Sequence, residues 1–365
     1  MRTVERSVAL AVAMAALLGV LSASASAATI DVSPGDSIQA AVKAAHPGDA
    51  IVVHAGVYHE SVQVNTNRLA LRGAGDSRHG TVIKPQGHTH RCSGGTSGIC
   101  VRTHKTMLSK PVAPAPTPGG STALTAGTRI SGFRIRGFSG SGVITQGAKD
   151  TIFRNNTFVH NGEYGGAAFA SKRTKFLHNV AKNAGEAGFY IGDSPHADAV
   201  LRGNRARHNG EFGFFLRDSS HALVVHNRAV QNCLGIGLVN TGAPGGVHHW
   251  GVRDNRVLRN QRECIGGEEA PPISGTGIAL LGARGNRVRH NIVKGNRPAG
   301  PAAAPGGIVV ASSNFLGGGN AAHNRIAHNR AFHNQPDDII WDGNGPGNHF
   351  IGNRCGSSQP GGLCN

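Results

Sequence analysis

The sequence predicts an all-β solenoid with a short N-terminal capping helix, and two observations support this fold class. The first is a repeat made of Asn, four residues, a second Asn, a turn, a Gly and a short apolar run. Its first Asn recurs at steps of 23, 25, 23, 28, 36, 38 and 24 residues, at Asn156, Asn179, Asn204, Asn227, Asn255, Asn291, Asn329 and Asn353. The second is the alternation of apolar and polar residues inside each repeat, which is typical of half-buried strands. Because one short repeat cannot bury its own apolar face, neighbouring repeats are expected to stack.

Each repeat has three places where apolar residues alternate, so we predict three short strands per turn of the solenoid. One apolar position lies three residues before the first Asn, as at Phe176, and one lies two residues after it, as at Ala206. The third is the pair after the Gly, as in Phe214 and Leu216. The second Asn stands at Asn161, Asn209, Asn232, Asn260, Asn296 and Asn334, and one residue early at Asn183. We expect these Asn side chains to form ladders between turns, because Asn also tolerates the left-handed backbone of a sharp corner.

With these motifs, residues 29–365 resemble the right-handed parallel β-helix proteins of the pectate-lyase-like superfamily. The opening phrase Pro47-Gly-Asp-Ala-Ile-Val-Val is similar to the first turn of many β-helix enzymes. The resemblance implies a single-stranded right-handed parallel β-helix, and we expect about ten turns in the mature chain. It also implies that a site would lie on the outer face of the strand after the Gly and on its flanking turns. The superfamily contains polysaccharide lyases, hydrolases, uronan epimerases, phage adhesins and periplasmic metal-maturation proteins, so the resemblance leaves the activity open.

Residues 1–28 are predicted to be a secretory signal peptide. Arg2 and Arg6 form a basic start, Ala9–Leu21 is apolar, and Ala25-Ser-Ala27 is a small-residue cleavage site. The apolar run is shorter than the ~20 residues that a membrane span needs. We therefore expect a secreted protein with no membrane insertion.

The mature chain is predicted to open with a helix and to carry one large insertion. The segment Asp36–Ala45 reads as a short amphipathic helix that covers the first turn of the solenoid. Residues 84–127 interrupt the repeat with two Cys and a Pro-rich run, which predicts a loop. That loop is either a functional lid or binding loop, or a disordered decoration.

The six Cys of this predicted exported chain indicate disulfides. Six Cys allow fifteen connectivities, and proximity in sequence and between neighbouring turns favours the one made of three particular pairs. These pairs are Cys92–Cys100, Cys233–Cys264 and Cys355–Cys364.

The formal net charge of +17 suits an anionic partner, either an acidic polysaccharide or a cell-wall polymer. Arg205, Arg228 and Arg256 follow the first Asn on successive repeats. This column is either a solvated basic face or a track for an anionic polymer. Nucleic acid is disfavoured, because only 5% of residues are aromatic and stacking platforms are scarce. We expect a monomer.

The candidate catalytic residues come from two matching turns on neighbouring repeats, Asp193–His196 and Asp218–His221. Asp–His pairs suit general acid/base work. Tyr190 and Arg217 lie between the two turns. If the protein is an enzyme, His221 or Tyr190 would transfer the proton, Arg217 would neutralise a uronate carboxylate, and Asp218 would support them.

Other polar residues near these turns are candidates for substrate or metal binding. The predicted substrate-binding residues are Lys172, Asp193, His196, His249 and Trp250, whose indole could stack on a sugar ring. Glu163, Glu186 and Glu211 occupy the same turn on three repeats, and close carboxylates can recruit Ca²⁺. Many of the twenty His precede an Asn, so turn structure explains them better than metal binding does.

The leading function hypothesis is an exported protein that binds an acidic polysaccharide and cleaves or epimerises it, as a polysaccharide lyase or a uronan C5-epimerase. The main alternative is a non-catalytic structural, cell-wall or adhesion solenoid. A periplasmic-type metal-maturation factor ranks third. The strand after the Gly lacks the acidic cluster of a calcium-dependent pectate lyase. We place any ligand site between residues 163 and 250, away from the Arg column.

Overall fold

The computed structural model describes residues 27–87, 92, 96–102, 124–266 and 271–364. Almost all of the predicted signal peptide and most of the loop at 84–127 lie outside the described residues. No helix among the described residues is both long and apolar enough to cross a membrane. The described chain winds into a parallel β-helix whose turns present three faces, named sheets A, B and C here in the order in which each turn visits them.

The strands of each sheet pair in parallel with the equivalent strands of the neighbouring turns. Sheet A contains Thr29–Val32, Ala50–Val53, Ala70–Gly73, Arg129–Ser131, Ile152–Arg154, Lys175–Leu177, Val200–Arg202, the end of Phe212–Val225, His248–Arg253, Arg287–Arg289, Arg325–Ala327 and His349–Ile351. Sheet B contains Gly56–His59, Thr81–Lys84, Phe133–Arg136, Thr157–Val159, Val180–Lys182, Arg205–Arg207, Arg228–Val230, Arg256–Leu258, Ile292–Lys294, Arg330–Phe332 and Arg354–Cys355. Sheet C contains Val62–Val64, Ile99–Arg102, Val143–Gln146, Gly166–Phe169, Ala187–Ser194, the start of Phe212–Val225, Leu234–Val239, Thr276–Leu281, Gly306–Ala311, Ile339–Trp341 and Ser358–Gln359. The eleven strands of sheet B agree with the about ten turns that the repeat predicts.

The core fills the space between the three sheets. Inward side chains at equivalent positions of neighbouring turns stack on one another. Phe153 stacks on Phe176 with ring centroids 5.1 Å apart, and Phe189 stacks on Phe214 at 5.3 Å. All four side chains are fully buried. The predicted alternation of apolar residues is therefore confirmed as the inward set of each strand.

The first Asn of each repeat forms the predicted ladder. The Oδ1 atom of Asn204 accepts from the backbone N–H of Asn179 at 2.9 Å and from its Nδ2 at 3.1 Å. The same contacts continue to Asn353. Each buried amide thereby satisfies the polar groups of a corner that water does not reach.

The prediction that Asn183 is a second-ladder Asn displaced by one residue is wrong. Asn183 adopts a left-handed backbone with φ of 55°, and Ala184 takes the ladder position instead. The backbone N–H of Ala184 donates to Oδ1 of Asn209 at 3.1 Å, so the ladder lacks one side chain at this turn. A third ladder, through Asn286, Asn324 and Asn348, was not predicted.

The predicted capping helix spans Ile38–Ala44 and covers the first turn. Ser37 caps it by accepting from the N–H of Ala40, and the carboxylate of Glu60 accepts from the N–H groups of Ile38 and Gln39. These contacts satisfy amide groups that a helix start leaves without intrahelical partners. A short 3-10 helix, Asn314–Leu316, lies later in the chain.

All three predicted disulfides are present. The Cα atoms of Cys233 and Cys264 lie 6.1 Å apart, so the turn-to-turn pairing holds without backbone movement.

Candidate active site

The outer face of sheet C carries a layer of aromatic side chains at its centre. Tyr190 lies 4.8 Å from Tyr164, 4.7 Å from Phe169 and 5.3 Å from Phe215, measured between ring centroids. Phe215 in turn stacks on Phe212 at 4.1 Å. These contacts follow from the register, since Tyr190 pairs with Phe215 on the next turn. Sequence reasoning missed Tyr164, Phe169 and Phe212, although Phe169 ends one strand of sheet C, Phe212 begins another and Tyr164 lies just before Gly166–Phe169.

Tyr190 is covered by this layer and does not face a substrate. Its side chain is 1% exposed and lies over Gly192, where a side chain would collide with the ring. Burial raises the pKa of its phenol far above the ordinary value, so the group keeps its proton at any physiological pH. The prediction of Tyr190 as a proton-transfer residue is therefore wrong, because the residue packs instead of reacting.

Arg217 lies at the open edge of the aromatic layer and joins two carboxylates. Its Nη2 donates to Oδ1 of Asp193 at 3.2 Å, and its Nε lies 3.5 Å from Oδ2 of Asp218. Its guanidinium carbon lies 5.9 Å from the centroid of the Tyr190 ring. Burial alone would lower the pKa of Arg217, but the carboxylates of Asp193 and Asp218 help to raise it above its ordinary value. Since the side chain is still 35% exposed, it presents a fixed positive charge to the solvent.

Asp218 holds the framework of the site and does not reach solvent. It is fully buried, and its two oxygens accept from the N–H of Thr241 at 2.8 Å and from the Thr241 hydroxyl at 2.5 Å. Asp218 was predicted to support the proton-transfer residues, and its burial limits it to such an indirect role. It is a positioning residue that ties Arg217 to the following turn.

Trp250 is the third predicted site residue that the structure places elsewhere. It is 1% exposed and belongs to the main core, and its Nε1 donates to the carbonyl of Ser219 at 2.7 Å. Trp250 pairs with Ala222 in sheet A, and its side chain faces the interior. The prediction that its indole stacks on a sugar ring is wrong.

The corner between sheets C and A brings four imidazoles together. Ring centroids of His196 and His221 lie 5.4 Å apart, and those of His221 and His249 lie 4.8 Å apart. His248 completes the group at 5.2 Å from His221. Lys172, also predicted, pairs with Asp198 at 3.4 Å near this corner. The structure therefore places the predicted residues His196, His221 and His249 in one exposed cluster.

The tautomer of a neutral His221 follows from its neighbour Ser220. The Ser220 hydroxyl donates to the carbonyl of Pro195, so its oxygen remains as an acceptor. Nδ1 of His221 lies 2.8 Å from that oxygen and is therefore the donor. A neutral His221 then keeps its lone pair on Nε2, which is the atom available to take a proton or bind a ligand.

Glu163, Glu186 and Glu211 stack as predicted and are called the glutamate column below. The backbone N–H of Glu186 donates to the carbonyl of Glu163 at 2.9 Å, and that of Glu211 donates to the carbonyl of Glu186 at 2.7 Å. Burial, and then the charge of Glu186, raise the pKa of both Glu163 and Glu211. Calcium binding by this column stays a prediction.

The far half of the outer face of sheet C is covered. Val239, Ala279 and Leu281 form an apolar cluster against which Ile273 and Ala304 pack from the long turns. A ligand that contacts sheet C therefore has access to the half that carries Arg217.

A family described as right handed beta helix region matches residues 92–251 and 197–355. No curated protein matches the sequence. Among solved structures, the A-module of the Azotobacter vinelandii mannuronan C-5 epimerase AlgE4 superposes with a TM-score of 0.57 at 17% identity, covering 88% of this chain and 92% of that one. An alginate lyase from Paenibacillus sp. superposes with a TM-score of 0.56 at 17% identity, covering 87% and 99%. The catalytic unit of a GH87 alpha-1,3-glucanase from Streptomyces thermodiastaticus gives 0.58 at 13% identity, covering 92% and 67%. At these identities the solved structures show a shared fold, and with the family match they establish that this chain belongs to the right-handed parallel β-helix family.

Proposed function

We propose that the protein is an exported, carbohydrate-active β-helix that binds an acidic polysaccharide and abstracts the C5 proton of a uronate. The observation that carries the proposal is the fixed charge of Arg217 on the same strand, Phe212–Val225, as the exposed imidazole of His221. The reaction requires a group that neutralises the carboxylate and a base with an available lone pair. Arg217 and Nε2 of His221 supply these two functions.

The chemical steps follow from these two groups. Binding to Arg217 withdraws charge density from the carboxylate of a uronate. The C5 proton of that sugar then becomes more acidic. Nε2 of His221 takes the C5 proton, and the electron pair moves into the carboxylate to give an enolate-type intermediate. In β-elimination the C4–O bond then breaks, a C4=C5 double bond forms and the leaving oxygen takes a proton from water. In epimerisation a proton from water is delivered to C5 from the opposite side of the ring, and no bond of the chain breaks. In both reactions His221 then releases the abstracted proton to solvent.

Three further observations support this substrate class and an exported location. The epimerase A-module and the alginate lyase that share the fold are named for enzymes acting on uronans. The net charge of +17 favours association with a polyanion. The three disulfides support an exported protein, because disulfides persist in oxidising compartments.

The experiment is an exchange assay with a panel of uronans in deuterated water. Both reactions begin at C5, so NMR detects deuterium at C5 after epimerisation, and ultraviolet absorbance of the unsaturated end detects elimination. We expect activity in the wild type and a loss of at least 100-fold in Arg217→Ala with His221→Ala. The matched control is Arg228→Ala with Arg256→Ala, which removes two positive charges from sheet B and should keep the chemical step.

Loss of activity only in the sheet B variant would overturn the placement of the site. Absence of exchange on every uronan would favour the non-catalytic alternative. One observation supports that alternative: Arg205, Arg228 and Arg256 pair in register on sheet B, with no carboxylate within ion-pair distance among the described residues. Burial, and then Arg205 and Arg256, lower the pKa of Arg228, as expected for an uncompensated column. Such a face attracts a polyanion but contains no base.

A further inference from the structure

The corner between sheets C and A repeats one backbone conformation on successive turns. On each of these turns, the residue two places before a paired residue of sheet A has a positive φ. These residues are Asp150, Arg173, Asp198, His221 and His249. Each such residue makes a one-residue corner in the left-handed region. Because parallel strands stack at ~4.8 Å, side chains at this position lie above one another. The backbone register therefore determines that His221 faces His249.

The charged residues at the earlier corner positions form ion pairs, whereas the imidazoles of His221 and His249 do not. Asp150 and Arg173 form an ion pair at 2.6 Å, and Asp198 pairs with Lys172 at 3.4 Å. Within the described part of the chain, no carboxylate lies within ion-pair distance of His221 or His249. This part of the corner presents nitrogen donors without acidic partners.

A third imidazole joins this pair from the neighbouring position. Nδ1 of His248 lies 2.8 Å from Nδ1 of His249. One ring nitrogen from each of His221, His248 and His249 lies within 4.8 Å of the others. Of the His, Cys, Asp and Glu side chains in the described residues, this is the group of three that converges in this way.

The spacing suits a transition-metal ion. Two nitrogens bound at about 2.0–2.1 Å to one ion lie about 2.8–3.4 Å apart, between the 90° and tetrahedral arrangements. The Nδ1 atoms of His248 and His249 already have this separation, and a ring nitrogen of His221 lies within 4.8 Å of both side chains' ligand atoms. The Ser220 hydroxyl orients His221 through Nδ1 and leaves Nε2 for the ion, which is the usual arrangement around a metal-bound imidazole.

The donor type also agrees. Neutral imidazole is the form that binds a metal. Three nitrogen donors favour Zn²⁺, Cu²⁺ or Ni²⁺ over Ca²⁺, which requires oxygen ligands.

We propose that His221, His248 and His249 form a binding site for one divalent transition-metal ion, with the remaining coordination position open to water. This inference goes beyond the proposed function and is tested without polysaccharide. Because the ion and a C5 proton would use the same nitrogen of His221, the ion is expected to suppress any C5 exchange.

The test is isothermal titration of the tag-free, chelator-treated protein with Zn²⁺, Ni²⁺ and Cu²⁺. We expect one site with a dissociation constant in the micromolar range or tighter. His221→Asn with His249→Asn should weaken it at least tenfold, and the nitrogen hyperfine pattern of bound Cu²⁺ should change. Asn tolerates the left-handed φ of 57° at both positions, so the variant keeps the corner.

The matched control is His290→Asn with His328→Asn. These imidazoles also stack, at 5.6 Å, and both have φ of 55°, but no third imidazole of the described residues joins them. The control should bind the ion as the wild type does, and thermal unfolding verifies that both variants fold. Binding weaker than millimolar in the wild type, or equal losses in the two variants, would overturn the proposal.

Discussion

Replacement of Asn227 by Ala tests the idea that the Asn ladder, and not the apolar core alone, stabilises the corners. Oδ1 of Asn227 accepts from N and Nδ2 of Asn204 at 2.8 and 3.0 Å. Its Nδ2 donates to the carbonyl of Leu201 at 2.8 Å and to Oδ1 of Asn255 at 3.1 Å. The variant therefore loses four buried hydrogen bonds. At a net value of about 1 kcal/mol each, the free energy of unfolding should fall by about 4 kcal/mol.

The assay is equilibrium unfolding in urea followed by far-ultraviolet circular dichroism. The control is Asn314→Ala, since Asn314 is exposed and its side chain has one long contact, at 3.5 Å to Asn320. That change should stay within about 0.5 kcal/mol. A loss below about 1 kcal/mol for Asn227→Ala would refute the reasoning, because it would mean that water or neighbouring groups replace the ladder contacts.

Four further predictions concern the ladder gap, the turn-to-turn disulfide and, in two cases, the glutamate column. Ala184→Asn should restore the missing rung of the second ladder and raise the free energy of unfolding by about 1–2 kcal/mol; a destabilised variant would show that the gap has no room for the amide. Cys233→Ser with Cys264→Ser removes a disulfide that links residues 31 positions apart. The free energy of unfolding, measured in urea, should fall by about 3 kcal/mol. An unchanged midpoint would contradict this. The raised pKa of Glu211 means that the native state binds its proton more tightly than the unfolded state, so its contribution to stability is lost as pH rises through the folded pKa. Glu211→Gln should therefore flatten the decline in melting temperature above pH 4.5, and an unchanged profile would count against the raised pKa. Calcium should raise the melting temperature of the wild type but not of Glu186→Gln if the glutamate column binds it.

The aromatic layer shows why sequence reasoning misplaced part of the site. Alternation correctly put Tyr190 on the outer face of its strand. It did not reveal that Tyr164 and Phe169 cover the ring, because those contacts come from a preceding turn and from a neighbouring strand. Trp250 was misplaced for a different reason. It lies two residues before the buried Val252 in the strand His248–Arg253, so the same alternation places its indole in the core.

The sequence by itself determined the β-helix, its number of turns within one, the first ladder, the capping helix and all three disulfide pairs. These features depend on the spacing of residues along a repeat, and a solenoid converts that spacing directly into neighbours on adjacent turns. Only the tertiary structure decided which polar groups reach solvent. It buried Tyr190, Asp218 and Trp250, left Arg217 and His221 open, and brought His248 beside His249 and His221. The physical reason is that exposure and side-chain convergence depend on what each turn places over its neighbour, which the period of the repeat does not encode.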